Sequence, residues 1–351
     1  SWRVRINITM ADFNVNHISS KQGQQGPVLA GITTVNSTGC MRIPSGPTDH
    51  RGGRGRGVFA GGIDPNYVTT MDYIEIPSTG NAVDFGDMSA AAQPRDSGST
   101  SSTRGVFGLG NSDAEVSTMN YVTVSSKGGA SDFGDMTEDL SYFGGASNST
   151  RGFIFGGYNA PAAAINVIQY FTISTTGDAN EFGDLLENIR GSVGCSSPTR
   201  AIAWGGYDDG ASSAVNVIQY VTISTIGDAK DFGDLLAAKF SAGACSSNTR
   251  GVFQCGSPSN NNVIQYITMA TTGNAADFGD ATGTLAETGG TSNNIRGVFG
   301  SANDPATSPY RFNTIDYITI ASLGNAADFG DLTTARSGAA AMGDAHGGLG
   351  D

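Results

Sequence analysis

The string Asp/Glu-Phe-Gly-Asp occurs six times, beginning at Asp84, Asp132, Glu181, Asp231, Asp277 and Asp328, at intervals of 48, 49, 50, 46 and 51 residues. A period near 50 constrains the fold more than any local propensity does, because each unit must be one supersecondary module that buries its faces against its neighbours. Each copy keeps the same surroundings. Upstream lies an aromatic-centred apolar run, as in Val167–Ile173, Val217–Ile223, Val263–Met269 and Thr314–Ile320. Earlier still is an Arg-led run ending in glycines, Arg56–Gly62 in the first copy, with counterparts at Arg104, Arg151, Arg200, Arg250 and Arg296. Between Phe-Gly-Asp and the next Arg stands a run of small residues such as Ser192–Ser197 or Ser241–Ser246, suited to a crowded interior. Each unit therefore predicts four short strands separated by Gly, Asn, Ser and Thr punctuation: small (a), Arg-led (b), Tyr-centred (c) and Asp-Phe-Gly-Asp (d).

Four-stranded units of this size predict an all-β chain of propeller blades. In the third copy Ile168 and Tyr170 point one way and Val167, Phe171 and Ile173 the other, so strand c is apolar on both faces, as a sheet sandwiched between sheets requires. The first copy begins at strand b, while the last is followed by a surplus small-residue run, Ser337–Gly343. That run predicts a strand completing the first blade and closing a six-bladed ring, which removes the open edge of the array. Residues 344–351 also read as the start of a further b strand, which leaves a partial seventh unit open.

The run Arg200-Ala201-Ile202-Ala203-Trp204-Gly205-Gly206, an aromatic strand ending in a Gly-Gly doublet, resembles the kelch repeat over residues 50–351. Residues 1–49 lack the repeat and read as a separate N-terminal extension. There Trp2, Val4, Ile6 and Ile8 alternate with Arg3, Arg5 and Asn7, the period of an amphipathic strand that adds to another chain's sheet or folds back on its own propeller. The segments Gln22–Val35 and Met41–Thr48, followed by Tyr-Ile-Thr-Ile and Asn-Ala-Ala-Asp-Phe-Gly-Asp units, are similar to virion-associated repeat proteins of tailed phages that infect marine cyanobacteria. That resemblance implies a structural virion protein in a fibre, tail or head decoration, held to other virion proteins by the N-terminal segment and exposed to host surface glycan or protein. The alternative is a kelch-type interaction or glycan-binding module without a virion role. Self-association into a homo-oligomer stays open on either reading.

In an antiparallel meander alternate connections share an end, so the b–c and d–a connections lie on one face and the a–b and c–d turns on the other. The a–b turns are alike (residues 147–151 and 246–250), and the c–d turns repeat a Gly-Asn/Asp-Ala theme after Thr79, Thr176, Ile226 and Thr272. The b–c loops differ in every copy: 63–66, 111–115, 158–161, 207–210, 257–260 and the long 302–312. Variable loops on a rigid scaffold are where binding is expected. Tyr158, Tyr207, Asp208, Asp209, Tyr310, Arg311 and Phe312 stand out there, as rings that stack and charges that direct hydrogen bonds, although loop packing alone also accounts for each of them. The residues present in every unit, Arg104, Arg151, Arg200 and Arg250 with Asp132, Glu181, Asp231 and Asp277, read as structural ion pairs or turn caps, with Arg151 bridging to Glu181 or to a neighbouring blade's acid.

Composition sets the exclusions. A net charge of -13 with no basic cluster beyond Arg51–Arg56 argues against nucleic acid, whose affinity rests on neutralising phosphates. No run approaches the roughly 18 apolar residues of a spanning helix, so no membrane insertion is expected. The only histidines are His17, His50 and His346, which starves a His-based metal site or catalytic triad, and the four cysteines show no knuckle spacing and read as free core residues. Asp208-Asp209-Gly210 lacks the full spacing of a calcium loop. Copper oxidases built on kelch propellers need His ligands that are missing here, and the Asp-box motif of sialidases is missing too. No metal, cofactor or catalytic residue is expected.

Overall fold

The computed structural model describes residues 55–160, 163–258, 261–304 and 310–345. The expectations for residues 1–49, including the strand of Trp2, Val4, Ile6 and Ile8, lie outside the described residues, as does most of the possible seventh unit. The described chain is all-β and forms six antiparallel blades with strand order a-b-c-d, a β-propeller. In the third blade the strands are Gly144–Ser147, Arg151–Asn159, Ala163–Thr172 and Asn180–Asp184. Closure follows the expected route. Strand Ala340–Gly343 pairs antiparallel with Arg56–Ala60, Met342 opposite Val58 and Ala340 opposite Ala60, so the last strand is the innermost strand of the first blade.

Six apolar clusters lie between successive blades, which is why strand c is apolar on both faces. Ile168 and Tyr170 pack with the fourth blade's Ala201, Ala203 and Val221. Phe171 and Ile173 pack with the second blade's Val106, Met119 and Phe133. The cluster of Phe329, Leu332 and Ile315 with Phe59, Ile74 and Ile76 joins the sixth blade to the first.

Inside each blade the repeated residues form one stack. The Arg guanidinium lies over the strand c tyrosine, at 4.4 Å for Arg104 on Tyr121 and 5.0 Å for Arg151 on Tyr170. That ring meets the Phe of Asp-Phe-Gly-Asp edge-on, as in Tyr170 and Phe182 at 5.6 Å. The same guanidinium reaches into the next blade: Arg104 Nη1 donates to the Ile173 carbonyl at 2.9 Å, Arg151 to Ile223 at 2.7 Å, Arg200 to Met269 at 3.0 Å and Arg250 to Ile320 at 2.9 Å. This corrects the ion-pair half of the expectation for these four arginines, while the turn-cap half is seen at Asp231. Asp132, Glu181, Asp231 and Asp277 are exposed, and Asp231 accepts from the Gly233 N–H in its own turn at 3.1 Å. A ring and a neighbouring carbonyl hold the cation better than a carboxylate that stays hydrated at the rim.

The glycine of Asp-Phe-Gly-Asp has its own cause. Gly183 sits at φ +156°, and a Cβ there would fall 2.5 Å from the Gly227 carbonyl carbon of the next blade, so the two blades touch backbone to backbone. Beside it the Asp184 N–H donates to Asp228 Oδ1 at 3.1 Å, which ties strand d to the next blade's c–d turn. A second clasp comes from strand c, where Gln169 Oε1 accepts from the Thr137 N–H of the previous blade at 2.8 Å.

At the seam between the sixth and first blades the corresponding strand c residue is Asp72. It takes the Thr333 N–H and hydroxyl at 3.2 and 2.7 Å and pairs with Arg336 at 2.8 Å, both side chains fully buried. Cys195, Cys245 and Cys255 are free and buried, and burial pushes the thiols of Cys195 and Cys255 up to about 12, so they pack as small apolar groups. No described helix is long and apolar enough to cross a membrane.

Candidate functional site

The d–a connections turn inward at the axis, on the same face as the b–c loops. Six equivalent residues there, Arg95, Tyr142, Gly191, Ser241, Glu287 and Gly338, all have left-handed backbone, with φ between 50° and 70°. Four of them are not glycine, a conformation that costs energy and tends to gather at functional sites. Neighbours in this ring are joined head to tail: Ser241 N–H to Gly191 O at 2.7 Å, Glu287 to Ser241 at 2.8 Å, Gly338 to Glu287 at 2.9 Å, Arg95 to Gly338 at 2.9 Å and Gly191 to Tyr142 at 2.5 Å. Between Arg95 and Tyr142 the link is a stack instead, the guanidinium 3.9 Å from the ring centroid.

Arg95 also reaches past Gly338 to pair with Glu287 at 3.0 Å. Burial works against the Glu287 carboxylate, yet Arg95, Ser337 and Gln93 outweigh it and hold its pKa below the usual value. Beneath this lid, fully buried Asp96 is pushed the other way. Burial raises its carboxyl well above the ordinary value, against the backbone N–H bonds from Gly290 and Ala244, and its Oδ2 has no partner. The axis is thus capped and filled, and the open space on this face lies off to one side.

That space is a cavity of about 680 Å³ across the second, third and fourth blades, lined by Asn111, Glu115, Tyr142, Tyr158, Ala163, Arg190, Asp209 and Gly210. Its volume falls in the usual range for small-ligand sites. At its centre Arg190 Nε donates to Asp209 Oδ1 at 2.8 Å. The guanidinium carbon stands 4.8 Å from the Tyr207 ring, 5.4 Å from Tyr142 and 5.7 Å from Tyr158. Tyr142 therefore joins the axial lid to the cavity, with one arginine at the lid and another in the cavity.

The residues singled out in the sequence divide. Tyr158 and Asp209 line the cavity. Tyr207 is packed between Arg190 and Phe240, 5.3 Å from the latter ring, and Asp208 Oδ1 caps its own loop through Gly210 N–H at 2.7 Å and Ala211 N–H at 3.1 Å. Asp208 and Asp209 are thus already engaged, and no cluster of metal-ligand residues occurs among the described residues. Tyr310, Arg311 and Phe312 belong to the sixth blade, diametrically opposite the third. There Arg311–Phe312 pairs with Ala302–Asn303, and Tyr310 is 60% exposed. They share the face but not the cavity.

Arg190 and Tyr142 are not among the residues singled out from sequence because they lie in d–a connections, outside the b–c loops whose variation points to binding. The signal was present. At the bridge position facing the end of strand b the other five units carry Gln93, Ser141, Phe240, Ala286 and Ser337, and only the unit ending in Arg190 puts a cation there. Asn111 and Glu115 bound a variable loop but were not singled out within it.

No protein-family model matches the sequence, and no curated protein sequence matches it. Among solved structures 367 chains are similar. One, titled "Structure of YjhT", superposes with a TM-score of 0.59 at 10% identity over 71% of this chain and 87% of that one. At that identity the likeness shows the six-bladed propeller fold alone, and a fold shared so widely assigns no activity.

Proposed function

We propose that this chain is a non-enzymatic virion structural protein whose propeller presents its variable-loop face to a host-surface glycan or protein. The cavity carries the reading: an aromatic and charged site sits where the b–c loops vary, while the opposite face repeats the same turns in blade after blade. The kelch-like Gly-Gly strands and the similarity of Gln22–Val35 and the Asp-Phe-Gly-Asp units to tailed-phage repeat proteins support placement on the particle surface, with residues 1–49 as the attachment to other virion proteins. The non-enzymatic part rests on chemistry, since the blades carry no histidine and Asp209 is committed to Arg190.

The test is binding of the full chain to whole host cells and to a glycan array, beside a Tyr158→Ala variant. Binding that falls in the variant supports the cavity as the attachment site, and binding by neither protein rules out attachment by this face. Fixed stoichiometry with purified particles separates the virion reading from a kelch-type module with no virion role.

A further inference from the structure

The hydrogen-bonding capacity of Arg190 is only partly used. Its Nε is bound to Asp209 Oδ1, and Asp209 Oδ2 takes the Ala164 N–H at 3.0 Å, so each oxygen of the anchoring carboxylate already has a donor. Neither terminal nitrogen of Arg190 has a hydrogen-bond partner among the described residues. The three tyrosine rings around the guanidinium restrict where it can swing. The result is a fork of N–H donors, anchored from behind, at the wall of a cavity large enough for a small ligand.

The charge around the fork narrows what it accepts. Arg190 and Asp209 cancel, Glu115 adds one negative charge to the lining, and the whole chain carries -13. A polyanion meets repulsion there, whereas one planar carboxylate matches the fork with two parallel hydrogen bonds. Glu115 accepts the Ser141 hydroxyl on Oε1 at 3.4 Å, which leaves Oε2, with the Asn111 amide, to bind ligand hydroxyls.

Building on the reading of this face as an attachment surface, we infer that the cavity takes a saccharide bearing a single carboxylate, with the Arg190 fork as the group that selects it. Tyr158 supplies a ring beside the sugar, and Asp209 is a positioning residue that holds the guanidinium.

The test is calorimetric titration of the full chain with three disaccharides: one containing glucuronate, its neutral glucose counterpart and a sulfated glucose counterpart. The uronate is expected to bind tightest, roughly tenfold or more above the neutral sugar, the worth of a charge-assisted hydrogen bond. Arg190→Lys keeps the charge but not the fork, and is expected to lose that preference while neutral-sugar binding changes little. The comparison of sugars on the unaltered protein stands even where the variant is unstable. Equal or tighter binding of the neutral or sulfated sugar overturns the carboxylate assignment but leaves the attachment reading in place, as does cell binding without binding of any of the three. Loss of both sugar and cell binding overturns both.

Discussion

Substituting Arg336 by Ala probes the seam where the ring closes. The guanidinium is fully buried and donates to Asp72 Oδ2 at 2.8 Å, to Thr334 Oγ1 at 3.1 Å and to the Phe59 carbonyl at 3.4 Å. Its removal leaves the Asp72 carboxylate buried with only the Thr333 donors. The chain contains its own control for that state. Asp316 takes the same two bonds from Thr282, at 3.2 and 2.7 Å, with Leu285 where the seam has Arg336, and burial raises its carboxyl above the ordinary value. Removing one partner of a buried pair costs about 3–5 kcal/mol, a fall in melting temperature on the order of 10 °C for a unit of this size. Equilibrium urea unfolding measures it. The double variant Asp72→Gln/Arg336→Leu copies the Gln169 and Leu140 pairing of the second and third blades and is expected to recover most of the loss. A loss below about 1 kcal/mol in Arg336→Ala, or a double variant as damaged as the single, refutes the argument that the seam is an ordinary blade clasp made ionic.

Three further outcomes follow from the same contacts. Arg151→Ala is expected to cost about 1–2 kcal/mol through the lost ring stack and inter-blade bond, whereas Glu181→Ala stays within about 0.5 kcal/mol; comparable losses in urea unfolding would restore the ion-pair reading. Gly183→Ala forces a Cβ against the Gly227 backbone and is expected to cost about 2 kcal/mol or more in thermal unfolding, while Gly177→Ala, with no atom within 4 Å of its Cβ, bears only the backbone strain. Asp96 holds its proton more tightly in the folded chain than in the unfolded one, so its penalty is absent below the unfolded value near pH 3.9 and grows as pH rises through the raised folded value. Asp96→Asn is therefore expected to be more stable than the parent at pH 7, with the gap closing towards pH 4, and a constant gap would show that the buried carboxyl is not the cause.

The architecture was legible because the period, the two-faced apolar strand c and the surplus C-terminal run each state a packing requirement that few folds satisfy. The seam itself, Asp72 with Arg336, was not legible, since nothing local marks Arg336 as buried; it follows only once the last strand is placed in the first blade. The repeated arginine was seen, but its partner was misread. Sequence shows an Arg and an acid in every unit, while the observed partners are a tyrosine on the adjacent strand and a carbonyl one blade away, contacts that exist only after the blades stack. In the cavity, Tyr158 and Asp209 were reachable from loop variation. Arg190 was reachable too, as the one cation at its position in the d–a connections, whereas Tyr142 and the strained axial ring were not, because their connections look like ordinary turns until the blades converge on one axis.

The most direct test of the account is amide hydrogen exchange on the full chain, free and bound to host-cell surface material. The account predicts protection concentrated in segments 111–115, 142–143, 158–160, 163–164, 190–191 and 209–210, with the opposite turns at 147–151, 246–250 and 272–276 unchanged. Protection confined to those opposite turns, with the cavity segments exchanging as in the free chain, would contradict it.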